Sequence, residues 1–144
     1  MGDPVGGLAY LPSVVTLPAP RPHHDDLGYW AGAEAGELRL PRCSACSRFF
    51  WPAGPICPRC SSARVAWTRC SGRGRVSSWV RFHKRYFEGA ETPYVVAQID
   101  LEEGPRLFAT LLSDDPQVGM EVGVVFTPRE GFVLPEFVPS DAAA

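Results

Sequence analysis

Four cysteines, arranged as two Cys-x-x-Cys pairs, are the residues whose type and spacing most clearly indicate chemistry. Cys43 and Cys46 form the first pair, Cys57 and Cys60 form the second, and ten residues separate the pairs. Two thiolates at this spacing can bind one metal ion from a single tight turn, and a second such turn completes a closed tetrahedral Cys₄ site. The pattern therefore predicts a structural Zn²⁺ site.

Two other states of these cysteines are compatible with the same spacing. Iron in a rubredoxin-like site is one of them, because thiolates bind iron as well as zinc. Two disulfide bonds are the other, but we expect reduced thiols, since no secretory signal is recognisable ahead of the cysteines and cytosolic thiols stay reduced. No apolar stretch approaches the roughly 20 residues of a membrane helix. We therefore expect a soluble, cytoplasmic protein.

Few groups in the chain are suited to catalysis. No phosphate-binding Gly-rich loop, HExxH or Gly-x-Ser-x-Gly motif occurs. His83 is the only histidine outside the N-terminal segment, and Cys70 is the only cysteine outside the two pairs. We expect Cys70 to be buried rather than nucleophilic. A free-standing metalloenzyme is disfavoured too, because four protein thiolates leave the metal no open coordination position. The sequence predicts a chain that is not catalytic alone.

Charge is distributed unevenly along the chain. The net charge is −2, yet the window from Arg39 to Arg85 contains eleven Lys and Arg residues and no Asp or Glu, so all sixteen acidic residues lie outside it. A positive field of this kind attracts nucleic acid, a phosphorylated cofactor or an acidic protein surface. The alternative is that the acidic flanks fold back and neutralise the window.

The first half of the chain divides into a lead-in, a helix and a zinc ribbon. The lead-in is rich in Pro, Gly and Ala and has neither a helical nor a strand period. Asp25 is placed to cap a helix whose Gly28 and Gly32 lower its intrinsic propensity, so the helix needs a surface to pack against. The ribbon is expected to have three strands, at about 37–40, 49–51 and 65–67. The predicted boundaries are 1–24 for the lead-in, 25–36 for the helix, 37–70 for the ribbon, 71–139 for an OB-fold and 140–144 for a tail.

From Gly72 onward the pattern predicts only β-structure. The run from Val95 to Leu101 alternates with a period of two, and Gly104 in the following turn suits a positive φ. Five strands with a long first strand indicate a small closed barrel of OB type, with an open sandwich as the alternative. The fold class is therefore mainly β. The predicted barrel strands are 74–86, 94–101, 106–112, 120–127 and 132–137.

The first barrel strand has two different faces if it is regular. Its even positions include Val76, Val80 and Phe82, which we assign to the core. Its odd positions are basic and include Trp79. Arginines with an interleaved aromatic ring can hold phosphates and stack a base, whereas an exposed edge strand uses such charges to avoid aggregation. A β-bulge would break this register.

The order of these motifs resembles that of a known family. In chain order they are Tyr29-Trp30, Gly36-Glu37-Leu38, the two cysteine pairs, Ser71-Gly72-Arg73-Gly74, Pro93-Tyr94-Val95-Val96, Leu101-Glu102-Glu103-Gly104-Pro105-Arg106-Leu107, Val118-Gly119-Met120 and Leu134-Pro135-x-Phe137. Over about residues 25–139 the chain resembles acyl-CoA-associated proteins in which a rubredoxin-like zinc ribbon precedes an OB-fold. The ribbon followed by Ser-Gly-Arg-Gly and Glu-Gly-Pro-Arg-Leu is the specific part of the resemblance.

The resemblance implies a role in a larger enzyme. Members of this family are generally small partners of thiolase-like proteins, including ketothiolases, lipid-transfer-protein-like thiolases and retro-aldolases that shorten steroid side chains. It implies that this chain is a non-catalytic accessory subunit that docks on the catalytic dimer and helps to bind the acyl-CoA or complete the active site. A heterotetramer of two plus two is the expected assembly.

Coenzyme A carries a 3′-phosphate, a pyrophosphate and an adenine, which suit a basic face bearing aromatic rings. We therefore predict acyl-CoA or partner contacts at the end of the long strand, from Arg81, His83, Lys84, Arg85 and Tyr86. The alternative from another class is a nucleic-acid-binding module, since zinc ribbons and OB-folds also bind nucleic acid. The sequence pI of about 5.9 disfavours that alternative.

Overall fold

The computed structural model describes residues 17–140, which form a short helical segment, a small cysteine-bearing unit and a β-barrel. This architecture confirms the predicted mainly β fold class. Residues 1–16 of the predicted lead-in and 141–144 of the predicted tail lie outside the described residues, and residues 17–23 contain no helix or strand. Within the described range, no helix has the length and apolar character needed to cross a membrane.

The helical segment consists of a 3₁₀ turn at His24–Asp26 followed by α1 at Leu27–Glu34. Asp25 lies inside the 3₁₀ turn, and Asp26 takes the N-cap position of α1 without making a side-chain capping bond. The expected cap by Asp25 is therefore wrong. Gly28 lets the ring of Trp67 pack against α1, because a Cβ at this position would lie 2.1 Å from Cδ2 of that ring. This contact forms part of the packing surface that the weak helix requires, and the strands at Arg39–Cys43 and Phe132–Pro139 form the rest.

The cysteine-bearing unit is built on one antiparallel pair of strands. β1 at Arg39–Cys43 pairs with β2 at Val65–Arg69, so that Cys43 lies opposite Val65. The expected third strand is wrong, since it is reduced to a single bridge between Arg42 and Phe49. Pro52 follows this bridge closely and has no N–H with which to extend a ladder.

The barrel is closed and has the strand order β3-β4-β5-β7-β6, with β6 also pairing with β3. Its only parallel pairing within the described residues joins Leu111 to Phe137. Gly104 in the turn between β4 and β5 has a φ of +116°, as the sequence predicts. The strands are β3 at Arg73–Phe82, β4 at Tyr94–Leu101, β5 at Arg106–Leu111, β6 at Glu121–Arg129 and β7 at Phe132–Pro139.

One hydrophobic core connects the barrel to the cysteine-bearing unit. Leu38 and Leu40, next to and within β1, are buried in the same cluster as Cys70 and the barrel interior. The barrel side chains in this cluster are Val76, Val95, Ala97, Ile99, Leu101, Leu107, Leu111, Val122 and Phe137. The two units therefore stabilise one another through apolar contacts as well as through the chain that links them.

A β-bulge in β3 corrects the predicted faces of this strand. The pairing with β4 shifts between Val76 and Ser78, so side chains after the bulge change sides. Val80 is consequently 54% exposed instead of belonging to the core, and Trp79 packs against the core instead of facing solvent. Phe82 is half-buried and stacks on Tyr94 with ring centroids 5.0 Å apart, outside the core cluster.

Candidate functional site

Two turns of the same geometry bring the four paired cysteines together. In the first turn the amide of Ser47 donates to the carbonyl of Cys43 at 2.7 Å, and in the second the amide of Ser61 donates to the carbonyl of Cys57 at 2.9 Å. Ser47 and Ser61 have φ values of 67° and 65°, so each turn closes through a left-handed residue. As a result, the sulfur atoms of Cys43, Cys46, Cys57 and Cys60 all lie within 4.8 Å of one another.

The sulfur cluster has the dimensions of a metal site. The Sγ atoms of Cys43 and Cys60 are 3.5 Å apart, and those of Cys46 and Cys57 are 3.7 Å apart. A tetrahedral site with Zn–S bonds of about 2.3 Å places neighbouring sulfurs about 3.8 Å apart. All five cysteines are free thiols. The cluster therefore fits one ion of this size, and it suggests a structural zinc.

Backbone amides favour the thiolate form of two cysteines in this cluster. The amide of Cys60, with a smaller contribution from Arg59, lowers the pKa of Cys57. The hydrogen bond from the amide of Cys46, with a smaller one from Ala45, lowers the pKa of Cys43 to about 6. The amide of Ser62 acts in the same direction on Cys60, but hydrogen bonds with neighbouring sulfurs and desolvation together raise the pKa of Cys60 to about 11. Four sulfurs this close cannot all be thiolates unless a cation balances them, so metal binding would release protons.

A groove of about 1490 Å³ lies at one end of the barrel and contains three of the five predicted contact residues. Arg81, His83 and Arg85 line it, and Arg81 also donates to the carbonyl of Asp114 at 3.3 Å. Lys84 and Tyr86 are not among its lining residues. They contact each other, with Nζ of Lys84 5.2 Å from the centre of the Tyr86 ring.

The groove also contains acidic groups that sequence reasoning missed. Glu136 is 2% exposed, and its Oε1 accepts a 2.6 Å hydrogen bond from the hydroxyl of Thr127. Arg129 approaches Oε2 of Glu136 at 3.5 Å. The sequence did contain a signal for Glu136, because it is the one carboxylate within the apolar run from Val133 to Val138. Because Glu88, Glu91, Asp114 and Glu130 also line the groove, it presents charges of both signs.

A second, smaller cavity of about 340 Å³ lies between α1 and the outer surface of the barrel. Its walls are mainly aromatic. The centroid of the Tyr29 ring lies 5.1 Å from the ring centroid of Trp30 and 5.0 Å from that of Trp51. Burial raises the pKa of Tyr29 to about 12. Phe108, which is 70% exposed, completes the rim. No local pattern of residues predicts this cavity, because its walls come from segments that are distant in the sequence.

Acidic residues from the flanks neutralise part of the basic window. Glu37 contacts Arg39 at 2.9 Å and Arg69 at 3.7 Å. Arg73 and Arg75 each pair at 2.8 Å with an acidic residue of the barrel, Glu102 and Glu121 respectively. The other seven basic residues of the window form no ion pair within the described part of the chain. The window therefore keeps a smaller positive field than its composition indicates.

Cys70 has the environment of a core residue. It is 5% exposed, and burial, with a contribution from the charge of Glu103, raises its pKa to about 12. A thiol with such a pKa has almost no thiolate near neutral pH, so it is a poor nucleophile.

Comparison with known proteins places this architecture in a family. Residues 30–66 match the family model described as the rubredoxin-like zinc ribbon domain of ChsH2, and residues 67–127 match that of the C-terminal OB-fold domain of ChsH2. The benzoylsuccinyl-CoA thiolase subunit BbsA of Thauera aromatica is 32% identical, and the match covers 78% of this chain and 81% of BbsA. The chain belongs to the DUF35 family of proteins, in which a zinc ribbon of the ChsH2 type precedes an OB-fold. The family resemblance is thus confirmed.

Two further relatives differ in length. A solved structure described as the Ltp2-ChsH2(DUF35) aldolase contains a chain that is 32% identical, with a TM-score of 0.78 and coverage of 85% of this chain and 99% of that one. The 3-oxo-4,17-pregnadiene-20-carboxyl-CoA hydratase alpha subunit of Mycobacterium tuberculosis is 33% identical over 85% of this chain. The chain spans only 40% of the length of this and another hydratase subunit among its curated relatives.

Proposed function

We propose that this chain is a non-catalytic accessory subunit of a thiolase-like acyl-CoA enzyme, such as a ketothiolase, an acyltransferase or a steroid side-chain retro-aldolase. The observation that carries the proposal is the match over 99% of the relative in the Ltp2-ChsH2(DUF35) aldolase. BbsA, a relative matched over 81% of its length, is named as a thiolase subunit. The chain would dock on the catalytic subunit, in a complex of two plus two, and help to bind the acyl-CoA or complete the active site.

The described residues support an accessory role because they offer little for catalysis. Cys70 is buried, and His83 has no nucleophile among its described hydrogen-bond partners. In the cysteine cluster, Zn²⁺ would be held by Cys43, Cys46, Cys57 and Cys60. Four thiolates saturate a tetrahedral zinc, so its role would be to stabilise the ribbon.

The groove at the barrel end is the candidate region for acyl-CoA. Arg81, His83 and Arg85 provide cations for phosphate groups, and Phe87 and Leu112 provide apolar walls. Its volume of about 1490 Å³ exceeds that of a typical small-molecule pocket. Lys84 and Tyr86 remain predicted contacts that would act beside the groove.

The test is an acyl-CoA assay of the thiolase-like protein encoded nearest to this chain, with and without added chain. We expect turnover to rise with added chain and to saturate at a fixed ratio of the two proteins. Unchanged turnover together with the absence of a complex would contradict the proposal. A strong, salt-dependent affinity for single-stranded nucleic acid would then favour the nucleic-acid alternative.

A further inference from the structure

The aromatic cavity beside α1 contains one charged group. Asp26 lines it together with Tyr29, Trp30, Trp51 and Phe108, and its other lining residues are Val96, Ala109, Thr110, Leu134 and Pro135. None of these carries a positive charge. An acidic group among aromatic rings is unusual in a cavity that is otherwise apolar, because a carboxylate loses solvation there.

One oxygen of the half-buried Asp26 carboxylate has no partner in the described chain. This atom, Oδ1, is buried and accepts no hydrogen bond from any residue in the range 17–140. Asp26 occupies the N-cap position of α1, yet it does not bond to the free amides of the helix. A buried polar atom without a partner costs stability, so its presence requires an explanation.

Aromatic rings around a carboxylate form a suitable site for a cation. The faces of Trp and Tyr rings attract cations, and the carboxylate adds a full negative charge in a partly desolvated setting. A guanidinium group suits both features, because it stacks on aromatic rings and is less strongly hydrated than an ammonium group. A cavity of about 340 Å³ is large enough for one such side chain.

None of the residues that line the cavity is Lys, Arg or His, so the described part of the chain supplies no cation to it. The segments outside the described range, 1–16 and 141–144, contain no Lys, Arg or His. We propose that this cavity receives an arginine side chain of the catalytic subunit and so forms an anchor of the interface. This inference rests on the proposed accessory function and adds the location and chemistry of the docking surface.

The surface around the cavity fits such an anchor. Phe108 is 70% exposed, and Val80, which pairs with the cavity residue Val96, is 54% exposed. Together with the cavity rim, these side chains form an apolar area on the outer surface of β3, β4 and β5. Protein interfaces concentrate their energy in buried aromatic and Arg anchors that are surrounded by apolar contacts.

The first test compares Asp26→Asn with Asp25→Asn, which removes the same charge one residue away from the cavity lining. We expect Asp26→Asn to weaken binding of the catalytic subunit by about tenfold or more and Asp25→Asn to change it by less than about twofold. The Tm of the isolated Asp26→Asn chain should be unchanged or higher, because no hydrogen bond in the described residues is lost. Equal binding by Asp26→Asn and wild type would overturn the inference, and so would a marked fall in its Tm.

A second test examines the cavity without the catalytic subunit. N-acetyl-arginine amide should shift the indole NMR signals of Trp30 and Trp51 in the wild-type chain but not in Asp26→Asn. The uncharged N-acetyl-norleucine amide is the control. Equal shifts with both probes, or no shift with either, would overturn the arginine site. If the wild-type chain binds no catalytic subunit, the proposed function is wrong. The second test does not depend on that subunit, so it still decides whether the cavity binds an arginine side chain.

Discussion

The cysteines of this chain lie in two kinds of environment, and Cys57 represents the four whose sulfur atoms form the predicted metal site. It is buried with Cys43 and Phe50 in the small core of the ribbon. We predict that Cys57→Ser loses its bound metal, because the variant lacks one of the four thiolates. The ribbon should then unfold, because a zinc site of this kind supplies on the order of 10 kcal/mol of apparent binding free energy that the small core cannot replace. Elemental analysis of the purified variant measures its metal content. Cys70→Ser is the control and should keep its metal, whereas full metal content in Cys57→Ser would contradict the four-cysteine assignment.

Cys70 represents the buried thiols, and its raised pKa predicts a dependence of stability on pH. The pKa of this thiol rises from 9.0 to about 12 on folding, so the folded state holds the proton more tightly than the unfolded state does. The corresponding stability is fully present below pH 9.0 and is lost as the pH rises towards 12. We expect Tm to fall less steeply above pH 9.0 in Cys70→Ala than in wild type. Parallel Tm curves for the two proteins would show that burial does not raise this pKa.

Residue spacing was sufficient to predict the sulfur cluster, because all four ligands lie within two short turns. The cavity around Asp26 could not be predicted in this way. Its walls combine α1, the turn at Trp51 and the outer surface of β4 and β5. These segments meet only through the docking of α1 against the barrel, which depends on long-range packing.

At the level of the elements, four of the five barrel strands were predicted closely. The first was predicted at 74–86 but ends at Phe82, so residues 83–86 lie in the loop that follows it, and the predicted faces of β3 were wrong as well. Alternation identifies a strand from its own sequence, whereas a bulge depends on the partner strand. Here Ser77 fills the extra position, and its hydroxyl donates to the carbonyl of Gln98 at 3.1 Å. The exchange of Trp79 and Val80 between the core and the surface follows from that one inserted residue.

The docking of α1 provides a prediction for Gly28. A Cβ at this position would lie 2.1 Å from Cδ2 of Trp67, so Gly28→Ala must displace the Trp67 ring. Overpacking costs about 1–3 kcal/mol, against a gain in helix propensity of about 1 kcal/mol. We expect a lower Tm in thermal unfolding despite the better helix former. Gly54→Ala, where a Cβ meets no atom within 4 Å, is the control and should be nearly neutral. A raised Tm in Gly28→Ala would mean that Trp67 does not hold α1.

At the level of the whole molecule, the basic window is divided into a paired part and a part without ion pairs. Arg39, Arg69, Arg73 and Arg75 have acidic partners, and three of those pairs join residues that lie far apart or in separate elements. The sequence showed that the basic residues are concentrated in one window, but it did not show which of them form ion pairs. Ion pairing depends on which strands become neighbours in the fold. The basic residues of the window without an ion pair among the described residues fall into two groups. Arg81, Lys84 and Arg85 lie at and just beyond the end of β3, and Arg42, Arg48, Arg59 and Arg64 lie in the ribbon.

This division predicts different effects for two arginines of the same strand. Arg81 lines the groove, whereas Arg75 pairs with Glu121 outside it. We expect Arg81→Gln to weaken acyl-CoA binding by the complex severalfold, since it removes a charge-assisted contact to phosphate. Arg75→Gln should leave acyl-CoA affinity unchanged and alter only stability, by up to about 1 kcal/mol. Titration calorimetry with acyl-CoA measures the difference. Equal acyl-CoA affinities in Arg81→Gln and Arg75→Gln would mean that Arg81 does not bind the ligand and has only a structural role.

The central claim is that this chain works as part of an acyl-CoA enzyme. The most direct test is co-expression with the thiolase-like protein encoded nearest to it, followed by size-exclusion chromatography and metal analysis. We predict that the two proteins co-elute in equal amounts with about one zinc ion per copy of this chain. Elution of this chain as a separate, zinc-loaded monomer would contradict the account.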